Sequence, residues 1–186
     1  LNSWFVSPKK VNSLHGKRHS MRVAIYASLL SKNIDQSQRD CLLMAAILHD
    51  IRRMNDKSDE GHANRAVKWY ESNKSEVTNT FEMNNINDEI VVELIKLHEQ
   101  DYEDLISRDF YLKYGKLVDI LKASDALDRY VQPKKKWWID EKYLNIKPDL
   151  NLKAFAFELV VLSEEKYLSG VDSERSVLSS IEELRS

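Results

Sequence analysis

Histidine and aspartate residues recur in this sequence at positions that normally continue the apolar face of a helix. His19 lies four residues before Val23, and His98 lies four residues after Leu94. Residues three or four apart share one side of a helix, so both imidazoles are expected to face inward. The full set of such positions is His19, His49, His62, His98 and Asp125, with Asp50 directly after His49. Imidazole and carboxylate groups are common ligands of divalent metal ions, and this set therefore predicts a metal site.

The most apolar stretch of the chain leads directly into two of these residues. Residues 41–48 read CLLMAAIL, and His49 and Asp50 follow at once. A helix that is apolar on all sides is a buried helix. Burial of the Asp50 carboxylate is costly unless a cation compensates its charge, and a metal ion is the compensating group that we predict.

Each of these side chains could instead be an isolated, hydrogen-bonded core residue, and for any single histidine that simpler explanation is favoured. The set as a whole argues against it, because several separate helices would each use a core position for a metal-ligand residue type. Helical proteins build metal sites from side chains on facing helices. We therefore expect the helices that carry these residues to pack around one centre.

Helical periodicity dominates the sequence, and no convincing stretch alternates apolar and polar residues with the period of a strand. We predict an all-α fold, a compact bundle of about six to eight helices. Helices are predicted to start near Gly16, Asp35, Ser58, Asn87 and Lys116, and two more are predicted over residues 150–169 and 173–185. Pro133 is expected to stop the fifth of these helices. Irregular or loop-like structure is predicted for residues 1–15, 71–85 and 134–148.

The composition is that of one globular domain. Of the 186 residues, 42% are hydrophobic and 31% are charged, and the formal net charge is −2. That charge argues against an extended nucleic-acid footprint and against an anionic membrane as partner. Cys41 is the only cysteine, which excludes a disulfide framework and favours a cytoplasmic location. We predict a single domain over residues 1–186, with the metal-site core at about 15–130 and a C-terminal helical extension at about 134–186.

Three segments of the sequence resemble the HD-domain superfamily of metal-dependent phosphohydrolases. Residues 19–23 read HSMRV, residues 49–53 read HDIRR, and residues 122–129 read KASDALDR. Their order, a histidine, then a His-Asp pair, then an aspartate, is similar to the superfamily pattern. The resemblance extends over about residues 15–130 and implies a helical HD-type fold.

Further residues resemble the variant of this superfamily that holds two metal ions. His62, preceded by Asp59, and His98 match its additional ligands. The chain departs from many relatives at Ala63, where they carry glycine. The resemblance implies a first metal ion bound by His19, His49, Asp50 and Asp125, and a second, bridged by Asp50, bound by His62 and His98.

The implied activity is hydrolysis of a phosphoester or phosphoanhydride bond in a nucleotide or another small phosphorylated metabolite. Two divalent ions would activate a water molecule near neutral pH and stabilise negative charge on the phosphoryl oxygens. Mixed imidazole and carboxylate ligation suits iron, manganese, cobalt or zinc, with magnesium as a further candidate. The sequence does not identify the substrate, the metal or the oligomeric state.

Arginine residues beside the predicted ligands are candidate phosphate contacts, because a guanidinium group binds phosphate through two parallel hydrogen bonds. Arg22 lies three residues after the first ligand, and Arg53 follows the His-Asp pair. We predict that both bind the substrate phosphate and act with Asp50 in catalysis. Arg129 is either a third substrate contact or a structural partner of a nearby aspartate.

Other charged and aromatic residues near these motifs allow two interpretations. Asp128 either orients a ligand through a hydrogen bond or is solvated. His15, four residues before His19, either lies at the mouth of the site or is an exposed histidine near the N-terminus, and we favour the second. The lysines at 134–136 are expected to be solvated beside core residues Trp137 and Trp138, although charge and stacking there could also hold a nucleotide.

Two alternative functions stay open. A metal-dependent nuclease acting on single-stranded nucleic acid would use the same kind of site, but the near-neutral charge weighs against it. A non-catalytic helical module that binds a nucleotide would not turn it over, and the complete set of six expected ligands weighs against that role. A small phosphorylated substrate is the favoured partner.

Overall fold

The computed structural model describes residues 2–83 and 86–185, and within these ranges it contains helices, turns and no strand. The α-helices are α1 (Pro8–Val11), α2 (Lys17–Leu30), α3 (Gln36–Leu48), α4 (His62–Phe81), α5 (Asp88–Leu97), α6 (Tyr102–Leu105), α7 (Asp109–Leu127), α8 (Leu150–Leu168) and α9 (Ser173–Arg185). Short 3-10 helices cover Asn2–Trp4, Asp128–Val131, Lys135–Trp137 and Glu141–Tyr143. The predicted all-α fold is confirmed. None of the described helices has the length and apolar character needed to cross a membrane.

Helix α2 begins at Lys17, next to the predicted start at Gly16. Helices α3 and α5 also begin where the sequence predicts, and side-chain caps explain why. Asp35 accepts hydrogen bonds from the backbone N–H groups of Ser37 and Gln38 at the start of α3. Asn87 accepts two equivalent bonds in the first turn of α5. These bonds satisfy N–H groups that have no partner inside the first turn of a helix.

The start of α4 differs from the prediction. Ser58 is not its N-cap, because the helix begins at His62, directly after Gly61. Gly61 has a φ of 76°, a left-handed conformation that glycine adopts without steric cost. The carboxylate of Asp59 accepts a hydrogen bond from the backbone N–H of Met54 and holds the preceding turn. His62 therefore occupies the first position of a helix.

Residues 71–81, the first part of the loop predicted at 71–85, are helical instead. Helix α4 continues to Phe81, with a kink at Asn73 where φ is −127° and ψ is 19°. Val77, beyond the kink, is fully buried in the larger core. A few apolar anchors thus suffice to keep this polar stretch helical. Residues 84–85 of the predicted loop lie outside the described residues.

Helix α7 both begins and ends earlier than predicted. It starts at Asp109 rather than near Lys116, because an additional segment joins it across a kink at Tyr114. It ends at Leu127, and the 3-10 helix Asp128–Val131 follows. The change of helix type therefore ends α7 before the proline that was expected to stop it.

The remaining segments agree largely with the prediction. Helices α8 and α9 correspond to the two predicted C-terminal helices. Residues 134–148 are irregular apart from two short 3-10 helices. The N-terminal arm is more ordered than predicted, since it contains Asn2–Trp4 and α1.

Helix α2 lies between two apolar cores and positions much of the site. It packs against α3 and α7 in the larger core, which also contains Leu94 of α5. Tyr26 of α2 packs with Leu159 of α8 and Val177 of α9 in the smaller core. Polar residues on α2 are therefore surrounded by helices on several sides.

Candidate metal centre

Helix ends bring the predicted ligand side chains together. His49 and His98 are the C-terminal caps of α3 and α5, and His62 is the first residue of α4. His19 lies in the first turn of α2, and Asp125 lies in the last turn of α7. The four histidines are buried, whereas 38% of the Asp125 side chain is exposed. The cluster is thus deep, with one carboxylate at its open side.

The two carboxylate oxygens of Asp50 face two different pairs of histidines. Oδ1 lies 2.9 Å from Nε2 of His62 and 3.7 Å from Nε2 of His98. Oδ2 lies 3.5 Å from Nε2 of His19 and 3.8 Å from Nε2 of His49. Asp50 therefore joins two adjacent groups of nitrogen atoms, as a carboxylate shared by two ions would.

Within each pair, the histidines point their Nε2 atoms at one another. The separation is 3.2 Å between His19 and His49 and 3.0 Å between His62 and His98. Oδ1 of Asp125 lies 3.4 Å and 3.7 Å from the nitrogens of the first pair. Two nitrogens bound to one ion at about 2.1 Å would lie about 3.0–3.4 Å apart for angles between octahedral and tetrahedral. Both pairs fit that spacing.

The other ring nitrogen of each histidine already has a partner. Nδ1 of His49, His62 and His98 lies 2.9, 2.8 and 2.6 Å from the carbonyl oxygen three residues earlier. Nδ1 of His19 lies 2.8 Å from Oδ2 of Asp128. Because a carbonyl oxygen only accepts, Nδ1 is assigned the proton, and in a neutral imidazole Nε2 then keeps its lone pair. Facing lone pairs repel unless a cation lies between them, so the donor set fits divalent ions.

Opposite charges at close range set the protonation of this cluster. Burial opposes a charge on His49, but the carboxylates of Asp50 and Asp125 outweigh it and raise the pKa of His49 to about 9. Burial likewise opposes ionisation of Asp50, yet His49 and the other nearby imidazoles hold its pKa well below the usual range. Burial and the charge of His49 lower the pKa of His98, against the attraction of Asp50. The buried carboxylates thus favour positive charge in the cluster, from protons or from metal ions.

Arg22 does not reach the cavity, and its predicted phosphate contact is corrected. Its guanidinium group is fully buried and donates to both carboxylate oxygens of Asp128, at 2.6 Å and 3.0 Å. Nη1 donates to Ser163 and Glu164. Asp128 is itself buried and accepts from His19, so the solvated alternative for Asp128 is also wrong. Arg22 positions a residue that holds a candidate ligand.

The structure adds two side chains that sequence analysis missed. Nδ1 of His15 lies 2.8 Å from Oδ2 of Asp50, so His15 is at the site, the alternative that was not favoured. Oε2 of Glu99 lies 2.9 Å from Nδ1 of His62. His15 precedes a predicted ligand by four residues, and Glu99 directly follows another. This proximity in sequence to predicted ligands is the feature from which their position at the site could have been predicted.

The other two predicted substrate arginines lie at the border of the cluster. Nη1 of Arg53 lies 3.4 Å from Oδ1 of Asp50 and 3.5 Å from Nε2 of His62. Nε of Arg129 donates to the carbonyl oxygen of Trp137 at 2.8 Å, rather than to an aspartate. Both guanidinium groups therefore sit where a phosphate could approach the cluster.

Two cavities open beside the cluster and share Asp125 and Arg129. The first has a volume of about 360 Å³, and its lining includes His98, Lys122, Lys136, Trp138 and Tyr143. The second has a volume of about 390 Å³, and its lining includes His15, His19 and Arg53. Volumes of about 300–1,000 Å³ are typical of sites for small molecules. The two cavities give the candidate centre access to solvent.

The lysine–tryptophan segment only partly follows the prediction. Trp138 is half-buried and packs edge-on against Tyr130. Trp137 is 39% exposed, and Nζ of Lys134 lies 4.7 Å from its ring centroid. Trp137 is therefore not the core residue that was expected, while Lys136 lines the first cavity.

The fold and the site define an all-helical protein whose clustered histidine and aspartate side chains could hold metal ions. The family model of the HD domain matches residues 17–130, more than half of the chain. The chain therefore belongs to the HD-domain family, whose members are generally metal-dependent hydrolases that bind divalent ions. Searches of the curated proteins and of the solved structures gave no match to this chain.

Proposed function

We propose that this protein is a metal-dependent phosphohydrolase that cleaves a phosphoester or phosphoanhydride bond in a nucleotide or another small phosphorylated metabolite. The observation that carries the proposal is the position of Asp50, whose two carboxylate oxygens lie beside two separate pairs of facing histidine nitrogens. His19, His49, Asp50 and Asp125 would hold the first ion, and Asp50, His62 and His98 would hold the second.

The chemistry supplied by bound divalent ions is activation of water and stabilisation of negative charge on phosphoryl oxygens. The chain prepares the site for them. Asp128 holds the ring of His19, and backbone carbonyls hold the other three rings, so that each Nε2 faces the centre. The four histidines and Asp50 are buried, which limits the water that competes with substrate.

Two arginines are the proposed phosphate contacts. Arg53 lies beside Asp50 and His62, and Arg129 lies between the two cavities. Guanidinium groups at these positions would neutralise the phosphate and orient it toward the centre. Arg22 has no such role, because its guanidinium group is buried and donates to Asp128, Ser163 and Glu164.

The first cavity supports a nucleotide as the substrate. Its lining combines the aromatic side chains of Trp138 and Tyr143 with the cations Lys122, Lys136 and Arg129. Cations neutralise any phosphate, whereas aromatic rings stack on bases, so this combination suits a nucleoside phosphate better than a phosphate ester without a ring.

The first test is the metal content of protein purified without chelator, measured by elemental mass spectrometry. We expect close to two transition-metal equivalents, loss of metal in the His49→Ala/Asp50→Ala double variant, and one equivalent in His62→Ala. Glu165→Ala, at an exposed carboxylate of α8, is the matched control and should keep the wild-type content. Wild-type protein that binds no metal, even after reconstitution with iron, manganese, cobalt and zinc, would contradict the proposal.

The second test follows phosphate release from metal-loaded protein over a panel of nucleoside mono-, di- and triphosphates and non-nucleotide phosphate esters. We expect turnover of at least one nucleotide, with the double variant as background. Cleavage restricted to single-stranded oligonucleotides would favour the nuclease alternative. Nucleotide binding by calorimetry without any turnover would favour the non-catalytic module, and either result would replace the proposed function.

A further inference from the structure

A third cavity lies away from the histidine cluster and has an almost wholly apolar wall. Its volume is about 250 Å³, and the N-terminal arm, α2, α3, α4 and α9 all contribute to it. The wall includes Trp4, Phe5, Met21, Ile25, Ile47 and Phe81. Trp4 and Phe5 are buried, so the N-terminal arm is packed onto the helices here. A cavity with such a lining favours an apolar ligand.

The wall of this cavity comes from the same segments that carry candidate metal ligands. Ser20 lines it and directly follows His19, while Ile51 lines it and directly follows Asp50. His19 and Ser20 are successive residues of α2, and successive helical residues project about 100° apart, so this segment can serve two sites on different sides. Asp50 and Ile51 lie in the turn after α3, where Ile51 lines the cavity. A ligand in the cavity would therefore contact Ser20 and Ile51, the residues next to His19 and Asp50 in the chain.

Two hydrogen-bond donors on α2 mark the polar end of the cavity. Lys17 and Ser20 are three residues apart and both line it. Nζ of Lys17 donates to Glu174 of α9 at 2.9 Å, but only 14% of the lysine side chain is exposed, against 53% of the glutamate side chain. The lysine ammonium is thus the more deeply placed member of the pair.

Ser20 supplies an independent observation. Its side chain is almost fully buried, and its hydroxyl has no hydrogen-bond partner within the described residues. Buried hydroxyl groups without a partner are rare and costly, because they lose their bonds to water. An acceptor atom bound at this end of the cavity would satisfy Ser20 and Lys17 together.

We propose that this cavity binds a medium-chain fatty carboxylate, with its acyl chain against the apolar wall and its carboxylate on Lys17 and Ser20. The carboxylate would replace the exposed Glu174 as the partner of the lysine. A cavity of about 150 Å³ holds benzene, so the larger volume here suits a chain of roughly eight carbons. The Glu174 carboxylate also lines the cavity, but 53% of its side chain is exposed. The more deeply placed polar groups at this end are the donors Lys17 and Ser20, and they favour an anionic head group over an amine.

The test is calorimetric titration of octanoate into the full chain, with octan-1-ol and octylamine as matched ligands. We expect octanoate to bind with a dissociation constant below about 1 mM, and Lys17→Met to weaken it about tenfold. Octan-1-ol should bind wild type and Lys17→Met alike, because it lacks the charge. Lys68→Met, at an exposed lysine of α4, is the control and should bind octanoate as wild type does.

A second variant tests the apolar part of the site. Ala24 lines the cavity, and Ala24→Leu should fill it and remove octanoate and octan-1-ol binding together. Thermal unfolding of Ala24→Leu, compared with that of wild type, checks that its fold is intact. If Ala24→Leu does not fold, the octanoate affinity of Lys17→Met still tests the proposal. No octanoate binding to wild type, tighter binding of octylamine, or equal octanoate affinity in Lys17→Met would overturn the proposal. Because this test needs no metal and no turnover, its failure is separate from failure of the proposed phosphohydrolase activity.

Discussion

The guanidinium group of Arg22 donates two parallel hydrogen bonds to the carboxylate of Asp128, and neither side chain reaches solvent. Asp128 also lies 2.8 Å from Nδ1 of His19, and Arg22 extends to Glu164 of α8 at 2.7 Å. A connected set of charges therefore links the C-terminal helices to a candidate ligand. Its members stabilise the fold and fix the ring of His19 at the same time.

Removal of Arg22 is expected to destabilise the protein strongly. Arg22→Met would leave the buried carboxylate of Asp128 without its cation, a change that costs about 3–5 kcal/mol in comparable buried pairs. Urea denaturation at neutral pH measures the loss. Arg175→Met, at an exposed residue of α9, is the control and should change stability by less than about 0.5 kcal/mol. Similar stability of the two variants would mean that the buried bonds contribute little.

Asp128→Asn is expected to weaken metal binding without removing a candidate ligand. The amide keeps the size of the carboxylate but lacks its charge, so the proton on Nδ1 of His19 is held less firmly. Replacing such partners of ligand histidines lowers metal affinity by about 10–100-fold. Competition with a chromogenic chelator measures the affinity. Asp104→Asn, at an exposed aspartate of α6, should keep the wild-type value, and the same value in Asp128→Asn would rule out this positioning role.

Glu164 should contribute a part of the stability that disappears in acid. Burial alone would raise the pKa of Glu164, but Arg18 and Arg22 outweigh it and hold the pKa below the usual value. A carboxyl with a lowered pKa in the folded state stabilises the fold above its unfolded pKa, near 4.3, and loses this effect as the pH falls through the folded value. The wild-type advantage over Glu164→Gln in urea should therefore be complete at neutral pH and shrink below about pH 4.3.

The control for this pH dependence is Glu165→Gln, because Glu165 is the exposed neighbour of Glu164 on α8. Its difference from wild type should stay small across the same range. A Glu164→Gln difference that is unchanged between neutral and acidic pH would show that hydrogen bonding, rather than the charge of Glu164, provides the stabilisation.

Periodicity and caps made most of the fold predictable from the sequence. Asp35 and Asn87 mark the starts of α3 and α5, because the bonds that they accept are local. The helical conformation of the polar stretch after Tyr70 could not be predicted from periodicity or caps. It remains helical because Val77 is buried by residues distant in sequence, and this tertiary contact outweighs the local signal.

Residue type and spacing predicted that the histidines cluster in space, but they did not predict the role of each arginine. Arg22 and Arg53 have similar positions next to ligand motifs, yet one is buried against Asp128 and the other borders the cluster. The difference comes from Ser163 and Glu164 on α8, about 140 residues after Arg22. Local sequence contains no sign of such a distant partner.

Arg129 provides the sharpest test of how the substrate is bound, and this prediction depends on the proposed phosphohydrolase activity. Its guanidinium lies between the two cavities and is anchored through Nε to the carbonyl oxygen of Trp137. Arg129→Met should raise KM by roughly tenfold with a smaller change in kcat, because a charge-assisted contact to phosphate is lost while the candidate ligands stay in place. Steady-state kinetics on the best nucleotide of the panel, with Arg175→Met as control, measures both constants. An equal fall in kcat and kcat/KM would instead place Arg129 at the transition state, and unchanged kinetics would exclude it from the substrate site.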